Sequence, residues 1–183
     1  FPAARWARPG ASRLEGDVAE IAGRSALALA RLDELESRGD EAVAGYARAE
    51  SEWGTLPELA LEAAVLRATA LARFGRGEES LAAWEHVSRR FELLDPVSGG
   101  LSAVQTEAVR QLAAGMESRG RAAARDSLLR AAERRFESAA REHPGKNSAG
   151  ELADAIAEVR GLRGDLDGAL DAWRRRLLSG AFP

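Results

Sequence analysis

Two histidines, three closely spaced aspartates and three short arginine clusters are the side chains whose type and spacing point to chemistry. His86 stands near Glu85 and Arg89, and His143 sits in a His-Pro-Gly turn. Neither has a second histidine or a carboxylate four residues on, the spacing that puts two metal ligands on one helix face. Both read as structural or solvated. Asp165, Asp167 and Asp171 have the look of cation ligands, but a calcium loop needs alternating oxygens on a non-helical loop that closes on a glutamate. Here Asp165 precedes a helix as its cap, and Asp167 and Asp171 fall on that helix's surface. No glycine-rich loop follows a strand, and no nucleophile is paired with a base. The chain is therefore expected to be no enzyme, with no metal, no cofactor and no small-molecule substrate.

The arginines cluster at Arg89-Arg90, Arg134-Arg135 and Arg174-Arg175-Arg176. Each cluster lies late in a predicted helix, where a cation complements the helix dipole. Stacked helices would align them along one edge, open to an acidic partner; pairing with neighbouring Glu and Asp is the plainer reading. Residues 1–13 hold Arg5, Trp6 and Arg8 with Pro2, Pro9 and Gly10, and no acid. Such a stretch resists helix formation until about Ser12. It reads as a frayed terminus, or as an extended arm that docks on a partner with Trp6 as its anchor.

Composition narrows the partners. The 183 residues carry a net charge of -3, so no global field draws the chain to nucleic acid or anionic lipid. No apolar run approaches the roughly 18 residues that a membrane span requires. The absence of cysteine excludes disulfides and thiolate metal sites but leaves the compartment open, either cytoplasmic or exported after processing before Phe1. The only methionine is Met116, so Phe1 reads as a processed or excised start. Lys146 is the sole lysine among 26 basic residues, a bias that fits GC-rich bacterial coding.

Hydrophobic residues make up 45% of the chain, mostly Ala and Leu, and charged residues 30%, the composition of packed amphipathic helices. The pattern predicts eight of them. The first starts at Ser12 or Asp17 and runs to about Arg38, with Gly39 as its stop and Asp40 capping the second, which holds Ala42, Tyr46 and Ala49. Thr55-x-x-Glu58, with Pro57 in the first turn, starts a third that ends near Phe74-Gly75. Gly77 opens a fourth with Ser80, Leu81, Trp84 and Val87 on one face, ending before Asp95-Pro96. Ser102-x-x-Gln105 starts a fifth to about Ser118. A sixth over Arg121 to Glu142 buries Leu128, Leu129, Ala132, Phe136 and Ala139. Ser148-x-x-Glu151 starts the seventh and Asp165 caps the eighth, in which Ala169, Leu170 and Trp173 form a buried face. No segment alternates with period two, so no sheet is expected.

Four capping-box patterns, at Ser12, Thr55, Ser102 and Ser148, recur every 43 to 47 residues, and each opens the first helix of a pair. The second helices align through Ala42/Tyr46/Ala49, Ser80/Trp84/Val87, Ala132/Phe136/Ala139 and Ala169/Trp173/Arg176. Their aromatics are spaced 38, 52 and 37 apart. Self-similarity on this scale marks a helical solenoid, with the longer middle interval taken up by extended helices near Gln111 to Leu129.

The motif resembles the tetratricopeptide repeat, in which a small residue, an aromatic four later and a small residue three beyond mark the second helix of each pair. Ala132, Phe136, Ala139 and Pro144 match that spacing; Gly164, Ala169 and Trp173 match with the glycine turn; Gly75, Ser80, Trp84 and Val87 match with serine in the small position. Ala42, Tyr46 and Ala49 match with Gly39 two residues too close. Arg176 replaces the last small residue of the final repeat. The resemblance implies an all-α, TPR-like α-solenoid of about four antiparallel helix pairs over residues 14–178, with a tail at 179–183. It also implies a protein-protein interaction scaffold, expected here as an accessory subunit of a larger assembly that docks through a concave helical face or the arm. The carboxylate-clamp subset of that family is not matched, because the only Lys and only Asn, Lys146 and Asn147, fall in a loop. The alternative is a helical sensor or oligomerisation domain cut from a longer bacterial regulator.

Overall fold

In a computed structural model, the backbone is described for residues 11–91, 101–144 and 148–178, and the side chains for 16–90, 102–144 and 150–177. Arg5, Trp6, Arg8, the loop Pro96 to Gly100, Lys146, Asn147, the tail Ser179 to Pro183, and the side chains of Ser12, Glu15 and Ser148 lie outside the described residues. The described chain is all-helical, with eight helices and no strand among the described residues: α1 (Ala11–Leu35), α2 (Gly39–Glu52), α3 (Pro57–Arg73), α4 (Gly77–Phe91), α5 (Leu101–Glu117), α6 (Ala122–Glu142), α7 (Ser148–Arg163) and α8 (Leu166–Leu178). The last residues of the predicted arm, 11–13, belong to α1. The helices form two compact units, residues 1–83 and 84–183, divided within α4.

In the first unit α1 packs on α2, and α2 on α3. Its core is a lattice of alanines, Ala26 and Ala30 of α1 with Ala42 and Ala49 of α2 and Ala60 and Ala63 of α3, which lets the helix axes approach closely around two large rings, Tyr46 and Trp53. Ion pairs tie α1 to α3 at the rim, Arg31 to Glu62 at 3.3 Å and Arg73 to Glu34 at 2.5 Å. Ser80 at the start of α4 is buried and donates to the carbonyl of Ala68 on α3 at 2.8 Å. Small polar Ser at that position thus holds α4 to α3 as well as giving it room.

In the second unit α6 packs on α5, α7 on α6, and α8 on α7, with α5 also against α7. Leu129 and Phe136 of α6 interlock with Leu152, Ile156 and Val159 of α7, and Ala169 and Ala172 of α8 close the cluster. Gly164 has a φ of +82°, which ends α7 in the left-handed conformation open to glycine. Asp165 then caps α8 by accepting from the backbone N–H of Gly168 at 2.9 Å.

Four local expectations are corrected. The break after α1 is made by Ser37, at a φ of +60°, and not by Gly39, which is the first residue of α2. A Cβ at Gly39 would stand 2.9 Å from the Phe74 ring, so glycine there serves close packing. Asp40 makes no cap; it accepts from Arg76 at 2.8 Å. Thr55 is not the cap of α3, because Pro57 occupies the first turn and Leu56 takes the cap position while packing on the core. Ser102 and Gln105 lie inside α5, both buried, and Ser102 donates to Glu151 of α7 at 3.2 Å. A serine and a Glu or Gln three residues on share one helix face as readily as they close a box, and packing selected the former. Within the long middle interval α5 runs for 17 residues to Glu117 and α6 for 21 residues from Ala122, so two helices occupy the region near Gln111 to Leu129.

Trp173 is the largest correction. It is 47% exposed, and Leu170 with it, whereas Ala169 and Ala172 face α7. The helix carries two apolar stripes one position apart, and the small residues, not the ring, face the close-packed side.

Candidate functional site

Two surface features stand out from the packed helices. The first is a groove in the second unit with a volume of about 360 Å³, walled by α6, α7 and α8. Its floor is small and apolar: Ala140 of α6, Ala153 and Ile156 of α7, and Ala172 of α8. The i, i+3, i+7 spacing of Ala153, Ile156 and Arg160 brings Arg160 onto the same face of α7, at the base of the groove.

Arg160 is fully engaged. Its Nε donates to Glu133 at 2.6 Å, one Nη to Glu137 at 2.7 Å and the other to the carbonyl of Gly168 at 3.0 Å. The guanidinium pKa is raised first by the hydrogen bond to Glu133, so this group stays charged and locks three helix positions together. Arg163 joins it on Glu133. Arg176 is held by Asp154 of α7. The two remaining arginines on the groove differ. Arg141, in the last turn of α6, makes no ion pair among the described residues, and Arg175 of α8 makes only a 3.3 Å hydrogen bond to the carbonyl of Asp171. Both are exposed.

The second feature is apolar. The exposed large hydrophobic residues among those described fall on α1 and α8 alone. On α1 the exposed positions Val18, Ile21, Ser25, Ala28, Leu32 and Leu35 repeat at 3-4-3-4-3, the heptad spacing of a coiled-coil seam, and Leu29 widens it. On α8 the stripe is Leu166, Leu170, Trp173 and Leu177.

Of the arginine clusters, Arg175 and Arg176 line the groove, while Arg174 pairs with Asp171 at 3.3 Å. Arg134 is exposed on α6, and Arg135 lines a separate cavity of about 150 Å³ with Ser88 and Phe136. Arg89 bonds the carbonyl of Glu85 at 3.3 Å, and Arg90 is half-buried. The clusters are thus not gathered into one site. Gln105 also lines the smaller cavity and is buried with neither amide atom bonded. Among the described residues no group of three or more His, Asp or Glu could hold a metal ion, and His86 and His143 are both half-buried, each with an interaction partner. The candidate repeat cores Ala42, Tyr46, Ala49, Trp84, Val87, Phe136 and Ala139 are buried, and Ala132 is half-buried.

Sequence reasoning missed Arg141 and Arg160. The signal for Arg160 was present, since Glu133 and Glu137 fall at i, i+4 on α6, and Arg160 and Arg163 at i, i+3 on α7, two charged faces of opposite sign.

No family model matches the chain, and no curated protein matches it. Among solved structures, BtubC (BKLC) from P. vanneervenii is similar at 15% identity and a TM-score of 0.36, over 93% of this chain and 91% of that one. Similarity at that level carries no argument about fold or function.

Proposed function

We propose that this chain is a non-catalytic protein-protein interaction scaffold, built of degenerate tetratricopeptide-like helix pairs and working as an accessory subunit of a larger assembly. The observation that carries the reading is the α1 seam. Five large aliphatic side chains lie exposed on one helix, four of them (Val18, Ile21, Leu32 and Leu35) in the register that a partner helix fits, with Leu35 at 83% and Ile21 at 66%. Apolar surface of that extent is costly to leave in water, and burying it against a partner recovers roughly 1.5–3 kcal/mol per large side chain.

Replacing Ile21 and Leu32 by lysine tests this. Both are exposed, so the melting temperature should hold, while capture of a defined complex from the native cell should be lost. Capture that survives the double substitution, with the same composition, would overturn the reading.

The heptad spacing also favours the alternative, an oligomerisation domain of a longer regulator. Light scattering separates the two: a self-associating chain gains mass with concentration and loses it in the same double variant, whereas a scaffold stays monomeric until its partner is added.

A further inference from the structure

We infer that the groove between α6, α7 and α8 is a second docking surface, and that its occupant is an acidic linear peptide segment carrying an apolar side chain. The walls present two guanidinium groups with capacity to spare, Arg141 and Arg175, one from the last turn of α6 and one from the last turn of α8. Two further arginines at the groove, Arg160 and Arg176, are already neutralised by Glu133, Glu137 and Asp154. The positive charge left over is therefore on the rim, where an incoming carboxylate meets it without breaking an internal pair.

Between the rims the floor of Ala140, Ala153, Ile156 and Ala172 offers no hydrogen-bonding side chain. Small residues there leave a volume of about 360 Å³, at the lower end of the range for ligand clefts and ample for one aliphatic or aromatic side chain with its backbone. A compact metabolite needs polar groups that fix its orientation, and the polar groups beside the floor are already engaged, Arg160 with Glu133, Glu137 and the Gly168 carbonyl, and Glu137 through one oxygen with Arg160. The lining carries no aromatic ring on which a nucleobase would stack, and Glu137 stands among its arginines. Rim charge with an apolar floor suits alternating acidic and apolar residues of an extended segment.

Fluorescence anisotropy of the full chain with a short labelled peptide of alternating glutamate and leucine tests this. Binding is expected at roughly 1–100 μM, as for short linear segments, and weakens with salt. Substituting both arginines (R141Q with R175Q) should weaken it about tenfold while leaving the melting curve unchanged, since neither residue makes an ion pair among the described residues. Ala153→Phe, which fills the floor and leaves the charges, should abolish it. Equal binding of a glutamine-leucine peptide, of a glutamate-serine peptide or of a DNA oligonucleotide would overturn the assignment, as would no binding at all. The variant with Ile21 and Leu32 replaced by lysine should bind the peptide as wild type does. A matching loss there would place the peptide on α1 and remove it from the groove. Because the two surfaces share no residue, failure here leaves the α1 reading standing, and the converse holds.

Discussion

The indole of Trp53 lies directly over Gly23, and its Nε1–H donates to the carbonyl of Glu20 at 3.2 Å. A Cβ on residue 23 would overlap the five-membered ring of the indole, which is buried almost completely. A mid-helix glycine is thus the complement of a tryptophan thirty residues away in sequence, and the two fix how α1 lies on the end of α2.

Gly23→Ala is expected to destabilise the chain by about 1–3 kcal/mol, as overpacking does, even though alanine is the better helix former. Gly16→Ala is the control. It sits on the same helix with open space around its Cα, and should stabilise by about 0.5–1 kcal/mol. Urea melts of the two variants read the difference; shifts of the same sign would mean that Trp53 does not lie on Gly23.

Trp173→Ala should change stability by less than about 1 kcal/mol, because the ring is half exposed. Trp53→Ala, which empties a fully packed site, should cost about 3–5 kcal/mol. Equal losses would return Trp173 to the core.

Tyr46 is the only tyrosine in the chain, so phenolate absorbance reports it alone. Its pKa is raised, first by burial and then by its 2.6 Å hydrogen bond to Glu34. The folded state therefore holds the phenol proton more tightly than the unfolded chain, whose tyrosine titrates near 10. Stability from this group is fully present below about pH 10 and is lost as pH rises above it. The phenolate signal is expected to appear together with alkaline unfolding and not before. Tyr46→Phe should cost about 1–2 kcal/mol at neutral pH and flatten the alkaline decline. A free titration near 10 in the folded chain would show that the phenol reaches water.

Gln105→Leu is expected to be neutral or stabilising by about 1 kcal/mol, because both amide atoms are buried without a partner and leucine removes that cost. Chemical denaturation measures it. A loss above about 2 kcal/mol would mean that the amide holds ordered water in the small cavity.

Much of the fold was legible from local chemistry. Composition and a 3.6-residue periodicity are properties of neighbouring residues, so the all-helical class, the break at Gly120, the extent of α6 and the Gly164-Asp165 junction could be read directly. Capping was less legible. Ser102 and Gln105 satisfy the capping-box spacing and also share a helix face, and only the presence of Glu151 on α7 decided between them. The groove was less legible still, since Arg141, Arg160 and Arg175 are brought together by three helices.

The sequence by itself determined that the chain forms amphipathic helices with small-and-aromatic motifs at regular intervals, because propensity, periodicity and turn chemistry act over a few residues. The tertiary structure decided which stripe of each helix is core. On α8 the alanines Ala169 and Ala172 face α7 and Trp173 faces outward; on α1 Ala26 and Ala30 face inward and Ile21 and Leu32 outward. The reason is that closely approaching helix axes select small residues for the shared face, and hydrophobicity alone does not distinguish an apolar side chain that fits between two helices from one that lies outside them.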